Sequence, residues 1–194
     1  LRRITDFKSK LVGGGARPNL FEVELAFPDG EGSPVAVNEV VENARFLVKA
    51  AALPSSTIAP IEIPFRGRIL KIAGDRTFAE WTVTIVNDED FLIRNSMEEW
   101  MQSINSHLGN IRKFAAASPS LYKESADVTQ YSKTGVPIRE YKFNGIFPTE
   151  VSTIDLDWNS TDAIEEFTTG MAALIGFDCD KVEKLISQKK IGKY

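Results

Sequence analysis

Residues that could carry out catalysis are few in this sequence and lie far apart along the chain. His107 is the only histidine, so any proton relay would depend on it. Its place near the end of a predicted helix lets a positive charge there complement the helix dipole instead. Cys179 is the only cysteine, and its acidic neighbours Asp178, Asp180 and Glu183 oppose a reactive thiolate. With no converging catalytic set, we predict that the chain is not an enzyme.

One group of oxygen-bearing side chains has the spacing of a calcium-binding loop. These side chains, at positions one, three, five and twelve of such a loop, are Asp155, Asp157, Asn159 and Glu166. Ser160 stands where the loop requires glycine. The strict alternation of apolar and acidic residues over 154–158 instead favours a strand with an acidic outer face. We therefore predict no bound metal.

Glycine-rich and charged motifs also indicate no ligand. The three glycines at 13–15 have no predicted strand before them and no predicted helix after them, so they read as a linker and not as a phosphate cradle. Asp75, Arg76 and Glu80 lie close together in sequence, but nothing catalytic or metal-binding elsewhere joins them. We predict that no cofactor is bound.

Length and charge limit the function classes further. A chain of 194 residues, with 43% hydrophobic and 26% charged residues, is expected to bury a sizeable core. The net charge is −4, with 23 basic against 27 acidic residues, whereas proteins that grip nucleic acid by its phosphates usually carry a basic excess. We expect no membrane anchor, because no apolar run of about 18 residues occurs.

Alternating residues predict the strands that would build this core. Leu20–Phe27 alternates cleanly and reads as a strand with one wet face. Ile69–Asn87 predicts a strand, a turn at Gly74-Asp75 and a second strand that begins at Trp81. The period then changes, and helical spacing of apolar residues predicts a helix over about 89–108.

Shorter segments complete the expected fold. They are an exposed loop at 28–45, a strand at Phe46–Ala52, a hairpin of Val128–Tyr131 with Val136–Phe143, breaks at Asn144-Gly145 and Pro148, a short strand at 154–158, a strand at Ile164–Ala172 and a short helix at Asp178–Lys190. This pattern predicts a mainly β protein, an antiparallel β-sandwich or partly open β-barrel with one packed α-helix.

Prolines set one extended segment apart. Pro60 and Pro64 remove two donors from the stretch Ile58–Phe65, and Pro54 precedes it. Prolines confine such a segment to a sheet edge or an exposed arm. The candidate arm, Leu53–Arg66, includes Leu53, Pro54, Ser55, Ser56, Ile58, Pro60, Glu62, Pro64 and Arg66.

Several short motifs, in one order over about Ala16 to Met171, resemble the tail tube proteins of contractile-tailed, T-even-type bacteriophages. The signature is the run Gly74, Asp75, Arg76, Thr77 and Phe78, followed by Trp81 and its strand. Further matching motifs are Ala16-Arg17-Pro18-Asn19-Leu20-Phe21, Ala52-Leu53-Pro54, Gly145-Ile146-Phe147-Pro148-Thr149 and Leu156-Asp157-Trp158.

The resemblance implies a structural virion protein. In that family, protomers form hexameric rings whose strands join into an inner β-barrel, and the rings stack into a hollow tube inside a contractile sheath, through which DNA is ejected. Expected partners are copies of the chain itself, the sheath, tape-measure, baseplate and tail-terminator proteins, and DNA that passes without specific binding. The expected location is the virion tail, assembled in the host cytoplasm.

Residue roles in such a tube follow as expectations. The arm would contact the next ring. Glu22 and Glu24 would lie on a wet or lumen-lining face, where an excess of acidic side chains does not bind the phosphates of DNA. The division would be a flexible segment at 1–15, a tail-tube domain at 16–174 and a C-terminal extension at 175–194. The alternatives are a baseplate-proximal tube initiator, a tube subunit of a secretion-type injection system and, from a different class, a monomeric β-barrel that binds a small ligand.

Overall fold

A computed structural model describes residues 3–11, 14–28, 37–112 and 118–176. The elements of these ranges, in chain order, are α1 (Ile4–Lys10), β1 (Phe21–Leu25), α2 (Val37–Leu47), β2 (Val48–Ala52), β3 (Ser56–Phe65), β4 (Arg68–Phe78), β5 (Trp81–Val86), α3 (Leu92–Ile104), α4 (Pro119–Tyr122), β6 (Glu124–Tyr131), β7 (Pro137–Val151) and β8 (Glu166–Gly176). In these ranges no helix is both long and apolar enough to cross a membrane.

The strands form two separate antiparallel units. Six of them make one sheet in the order β1-β6-β7-β8-β5-β2, and β3 pairs only with β4 in a two-stranded ribbon. The predicted mainly β, antiparallel class with a packed helix is confirmed. Within the described chain the six-stranded sheet does not close into a barrel, and β1 and β2 remain as its edges.

One face of the six-stranded sheet forms the core. In β5 the side chains of Trp81, Val83 and Ile85 are buried, and those between them face the other way. The Trp81 ring stacks on Phe143 of β7, with 4.3 Å between centroids and 5° between planes. This face therefore needs a cover, since an exposed apolar sheet face is unstable in water.

Helices α2 and α3 provide that cover. Ile93, Met97 and Trp100 of α3 are buried in the core. The helix predicted at 89–108 is confirmed over Leu92–Ile104, and its N-cap is Phe91, in a left-handed conformation with φ of 52°. The Asp88 carboxylate still accepts a hydrogen bond from the Leu92 amide at 3.4 Å.

The prediction of an exposed loop at 28–45 is wrong from residue 37 onward, where α2 begins. Val40 and Ala44 of α2 are buried against the sheet. Apolar residues at Val40, Val41, Ala44 and Leu47 have helical spacing, so the sequence carried a signal for this helix. The nearby prolines and glycines, typical of a loop, belong to residues 28–34 and precede it.

The predicted hairpin within Ile69–Asn87 is also wrong. β4 runs without a turn through Gly74 and Asp75 and pairs with β3, and β5 pairs with β2 and β8. The reversal lies at Arg66 and Gly67, whose φ values of 47° and 79° are typical of a two-residue hairpin turn. Gly74 and Asp75 instead face Ala59 at a bulge, where a Cβ on Gly74 would lie 2.5 Å from the Ala59 carbonyl oxygen.

Two further predictions fail in the C-terminal half. The strand at 154–158 is absent from the described residues, which form an irregular loop there. The break at Asn144-Gly145 and Pro148 is instead a pair of register shifts inside the continuous strand β7. Other predictions are confirmed: β1 within Leu20–Phe27, the β6–β7 hairpin and β8 near Ile164–Ala172. The predicted helix at Asp178–Lys190 lies outside the described residues.

Replacing Trp81 should test the packing of the core. Trp81→Ala leaves a cavity beside Phe143, and we expect it to lower the free energy of unfolding by about 3–5 kcal/mol. Trp81→Phe should cost much less, because the buried indole nitrogen has no hydrogen-bond partner among the described residues. The control is Trp158→Ala, since Trp158 is fully exposed. Denaturant unfolding monitored by circular dichroism would measure all three variants, and equal losses would contradict this packing.

A bulge at Gly74 can be tested inside the ribbon. Gly74→Ala places a methyl group against the Ala59 carbonyl, so we expect faster amide hydrogen exchange in β3 and β4 and unchanged exchange in the six-stranded sheet. Arg66→Asn is the matched control, because asparagine tolerates the positive φ at the turn. Unchanged protection of the ribbon in Gly74→Ala would contradict the bulge.

Candidate self-association surfaces

The ribbon formed by β3 and β4 projects from the core, and its side chains remain largely exposed to solvent. Every residue of β3 is exposed, and so are all but two residues of β4. An isolated two-stranded ribbon is marginally stable in water. At its base, the Ala79 amide donates to the Ser55 carbonyl at 3.0 Å and holds the two strands together.

One side of the ribbon is strongly apolar. Register pairs Ile61 with Ile72 and Ile63 with Leu70, and directly opposed residues share a face. This apolar ribbon face consists of Ile61, Ile63, Phe65, Leu70 and Ile72, each with 43–65% of its surface exposed. Contiguous exposed apolar surface of this kind marks a protein interaction site.

The opposite side of the ribbon is more polar. Glu62 pairs with Lys71 at 3.1 Å between carboxylate and ammonium, beside Pro60 and Pro64. Prolines in a ladder sit where the missing N–H faces outward. The outer edge of β3 therefore lacks two donors, which disfavours the addition of a further strand there.

The predicted arm residues all lie in or beside this ribbon. Leu53, Pro54 and Ser55 connect β2 to the ribbon, Ser56, Ile58, Pro60, Glu62 and Pro64 lie in β3, and Arg66 is at the turn. The signature residues Gly74, Asp75, Arg76, Thr77 and Phe78 lie in β4, and Trp81 lies in the core. The sequence interpretation missed that β4 supplies two of the five residues of the apolar ribbon face, although the alternation before Arg66-Gly67 was a signal for a hairpin.

A second surface is the uncovered face of the six-stranded sheet. Its side chains, which alternate with the core residues, are those of Glu22, Glu24, Thr82, Thr84, Asp127, Thr129, Glu140, Lys142, Glu166 and Thr168. We call this set the polar sheet face. Glu22 and Glu24, the residues predicted for a wet or lumen-lining face, lie on this side of the sheet, in the edge strand β1.

Among the described residues, each cation that reaches the polar sheet face pairs with a carboxylate. Arg45 of α2 approaches Glu24 at 2.5 Å, Lys49 approaches Glu166 at 2.5 Å, and Lys142 lies 3.8 Å from Glu140. The hydrogen bond to Glu24 raises the pKa of Arg45. Five carboxylates therefore face three cations, and the cations are already partnered.

Tyr131 adds a neutral donor to this face. Its hydroxyl donates to the Glu22 carboxylate at 2.6 Å, and this bond raises the pKa of Tyr131 above its ordinary value. Thr84 and Thr168 contact each other through their hydroxyls at 3.4 Å. The face is thus wet, acidic in balance and internally hydrogen-bonded.

The residues considered for catalysis or metal binding do not converge. His107 lies in an exposed loop after α3. The Glu166 carboxylate accepts a hydrogen bond from Lys49 and not from the loop that contains Asp157. Asp157 accepts hydrogen bonds from the Asn159 amide and side chain at 3.0 and 3.1 Å. Across the described ranges, no group of three or more His, Cys, Asp or Glu residues has a metal-binding arrangement. Cys179 lies outside these ranges.

Two solved structures that resemble this one are chains of the anti-feeding prophage. A chain of the anti-feeding prophage baseplate superposes with a TM-score of 0.57 at 11% identity, covering 82% of this chain and 91% of that one. A chain of the anti-feeding prophage tube-terminating cap gives 0.56 at 17% identity, covering 84% and 91%. At such low identity these likenesses establish the fold alone.

Sequence relatives establish the family. Residues 16–172 match the family model described as phage tail tube protein. The chain is 37% identical over 161 residues to tail tube protein gp19 of Enterobacteria phage T4, covering 82% of this chain and 90% of that protein. It is 25% identical over 167 residues to the tail tube protein of Serratia phage KSP90, covering 85% and 90%. The resemblance noted in the sequence is thereby confirmed: the chain belongs to the phage tail tube protein family and is a structural component of the virion tail.

Proposed function

We propose that this chain builds the tail tube by self-association into stacked hexameric rings inside a contractile sheath, and that DNA is ejected through the lumen. The observation that carries the proposal is the apolar ribbon face, whose large side chains remain 43–65% exposed in the single chain. Burying that face against another copy stabilises both ribbon and assembly. The role is structural and requires no catalysis.

The edges of the six-stranded sheet support association within a ring. Within the described ranges β1 and β2 each present one unpaired row of backbone groups, and such rows pair readily with a strand from another chain. Pairing β1 of one copy with β2 of the next would extend the sheet around a ring and remove both edges. The ribbon is then left to reach the next ring, as proposed from its prolines.

The charge on the polar sheet face supports its position along the lumen. Phosphate binding depends on cations that are free to release counterions from DNA. On this face Arg45, Lys49 and Lys142 are engaged by carboxylates. A lumen with this lining would let DNA move through without gripping it.

Sequence identity supports a main tube subunit over the other assembly roles. Over 161 aligned residues the chain is 37% identical to a relative named as the tail tube protein of phage T4. Sheath, tape-measure, baseplate and terminator proteins are the proposed partners. The number of copies per tail, measured by quantitative mass spectrometry of particles, separates a main tube protein from an initiator.

Polar substitutions on the apolar ribbon face should abolish assembly without unfolding the protomer. Ile61→Asn with Ile72→Asn changes an opposed pair that is exposed in the single chain. We therefore expect the variant to have the free energy of unfolding of the wild type. We expect it to form no rings or tubes, as measured by sedimentation and negative-stain microscopy. The matched control is Glu62→Gln with Lys71→Gln, an opposed pair on the other side, which should still assemble. Tubes formed by the first variant at the wild-type protein concentration would contradict the role of this face.

Cysteine accessibility can locate the lumen. In a Cys179→Ser background, Thr82→Cys places one thiol on the polar sheet face and Asn95→Cys places one on the exposed side of α3. A polymer-linked maleimide should modify both unassembled variants but, in tubes, only Asn95→Cys. A small maleimide should reach both in tubes by diffusing along the lumen. Full polymer labelling of Thr82→Cys in tubes would place this face outside.

A further inference from the structure

The loop between β7 and β8, residues 152–165, holds large apolar side chains out in solvent. Trp158 is fully exposed, Leu156 is 85% exposed and Ile164 is 74% exposed. The ends of the loop are nevertheless held. The Ser152 amide donates to the Thr168 carbonyl at 2.8 Å, and Asn87 donates to the Glu165 carboxylate at 2.6 Å. These side chains therefore lie on a defined surface that the described part of their own chain leaves uncovered.

We propose that this loop is the docking site for the tip of the β3–β4 ribbon of another copy. This inference rests on the proposed self-assembly and names the acceptor surface for the ribbon. The tip consists of Phe65, Arg66, Gly67, Arg68 and Ile69, and Phe65 and Ile69 are 65% and 61% exposed. It thus offers apolar side chains and two guanidinium groups to the apolar surface of the loop.

Charge complementarity between the loop and the ribbon supports this occupant. Residues 152–165 contain Asp155, Asp157, Asp162 and Glu165 but no Lys, Arg or His. Ribbon residues 56–78 contain four basic and two acidic residues, and one of the acids, Glu62, is engaged by Lys71. Within the described chain Arg66 and Arg68 have no carboxylate partner, and Arg66 lies 5.3 Å from the centroid of the Phe65 ring. Guanidinium groups bind carboxylates and stack on indole rings, so the tip fits both features of the loop.

Reach and rigidity favour the ribbon over helix α1, another basic element with exposed apolar side chains. A ten-residue strand extends about 33 Å, which carries the tip away from its own body. The tip is held by a two-residue turn, so docking requires little ordering. Helix α1 also combines lysines with exposed Ile4 and Phe7, but a helix of seven residues is marginal by itself and would lose conformational freedom on docking.

Cross-linking in assembled tubes tests the contact directly. In a Cys179→Ser background, Arg68→Cys and Asp162→Cys variants are purified separately, mixed, assembled and treated with a short thiol cross-linker. We expect covalent dimers from the mixture in tubes and none from either variant alone. A cross-link of Asp162→Cys to Phe7→Cys instead would assign the loop to α1 and overturn the inference.

Charge exchange and truncation give independent readouts. Arg68→Glu and Asp155→Arg should each raise the protein concentration needed for tube assembly, and combining them should restore it. Trp158→Ala should raise that concentration by about tenfold while leaving unfolding unchanged. Tubes that form normally from Trp158→Ala, with no cross-link in the mixture, would overturn this docking site but leave self-assembly intact. A wild-type chain that stays monomeric would refute both.

Discussion

The six-stranded sheet buries one face only, and the rest of the structure depends on that asymmetry. Trp81, stacked on Phe143, lies at the centre of the buried face, and the helices α2 and α3 cover it. Because side chains alternate along a strand, the same strands must present the polar sheet face on the other side. A single alternating pattern therefore produces both a stable core and an acidic, wet surface.

The open edges and the ribbon have a different physical basis. Among the described residues the sheet does not close on itself, so β1 and β2 keep one unpaired side each. The ribbon buries almost nothing in its own chain, and its apolar face remains in solvent. Neither feature benefits a monomer, since free edges and apolar surface favour aggregation. Both fit the self-assembly proposed for this tail tube protein.

Much of the fold could be predicted, and the failures have specific causes. Strong alternation identified β1 and β5, and helical spacing identified α3. Gly74-Asp75 was misread because glycine serves both turns and bulges, and only the close approach of Ala59 distinguishes them. Leu156 and Trp158 alternate like strand residues, yet no neighbouring strand pairs with them. For the candidate site, the prolines correctly placed β3 outside the main sheet but carried no information about its partner β4.

The sequence by itself determined the class of elements, the acidic balance, the lack of a converging catalytic set and the family, because these depend on local periodicity, composition and ordered motifs. Tertiary structure alone decided which strands pair, that the sheet stays open, and that Ile61, Ile63 and Phe65 share an exposed face with Leu70 and Ile72. Strand pairing is set by contacts between residues distant in the chain, which local periodicity does not encode. The surfaces that would join copies into a tube are visible only once those contacts are made.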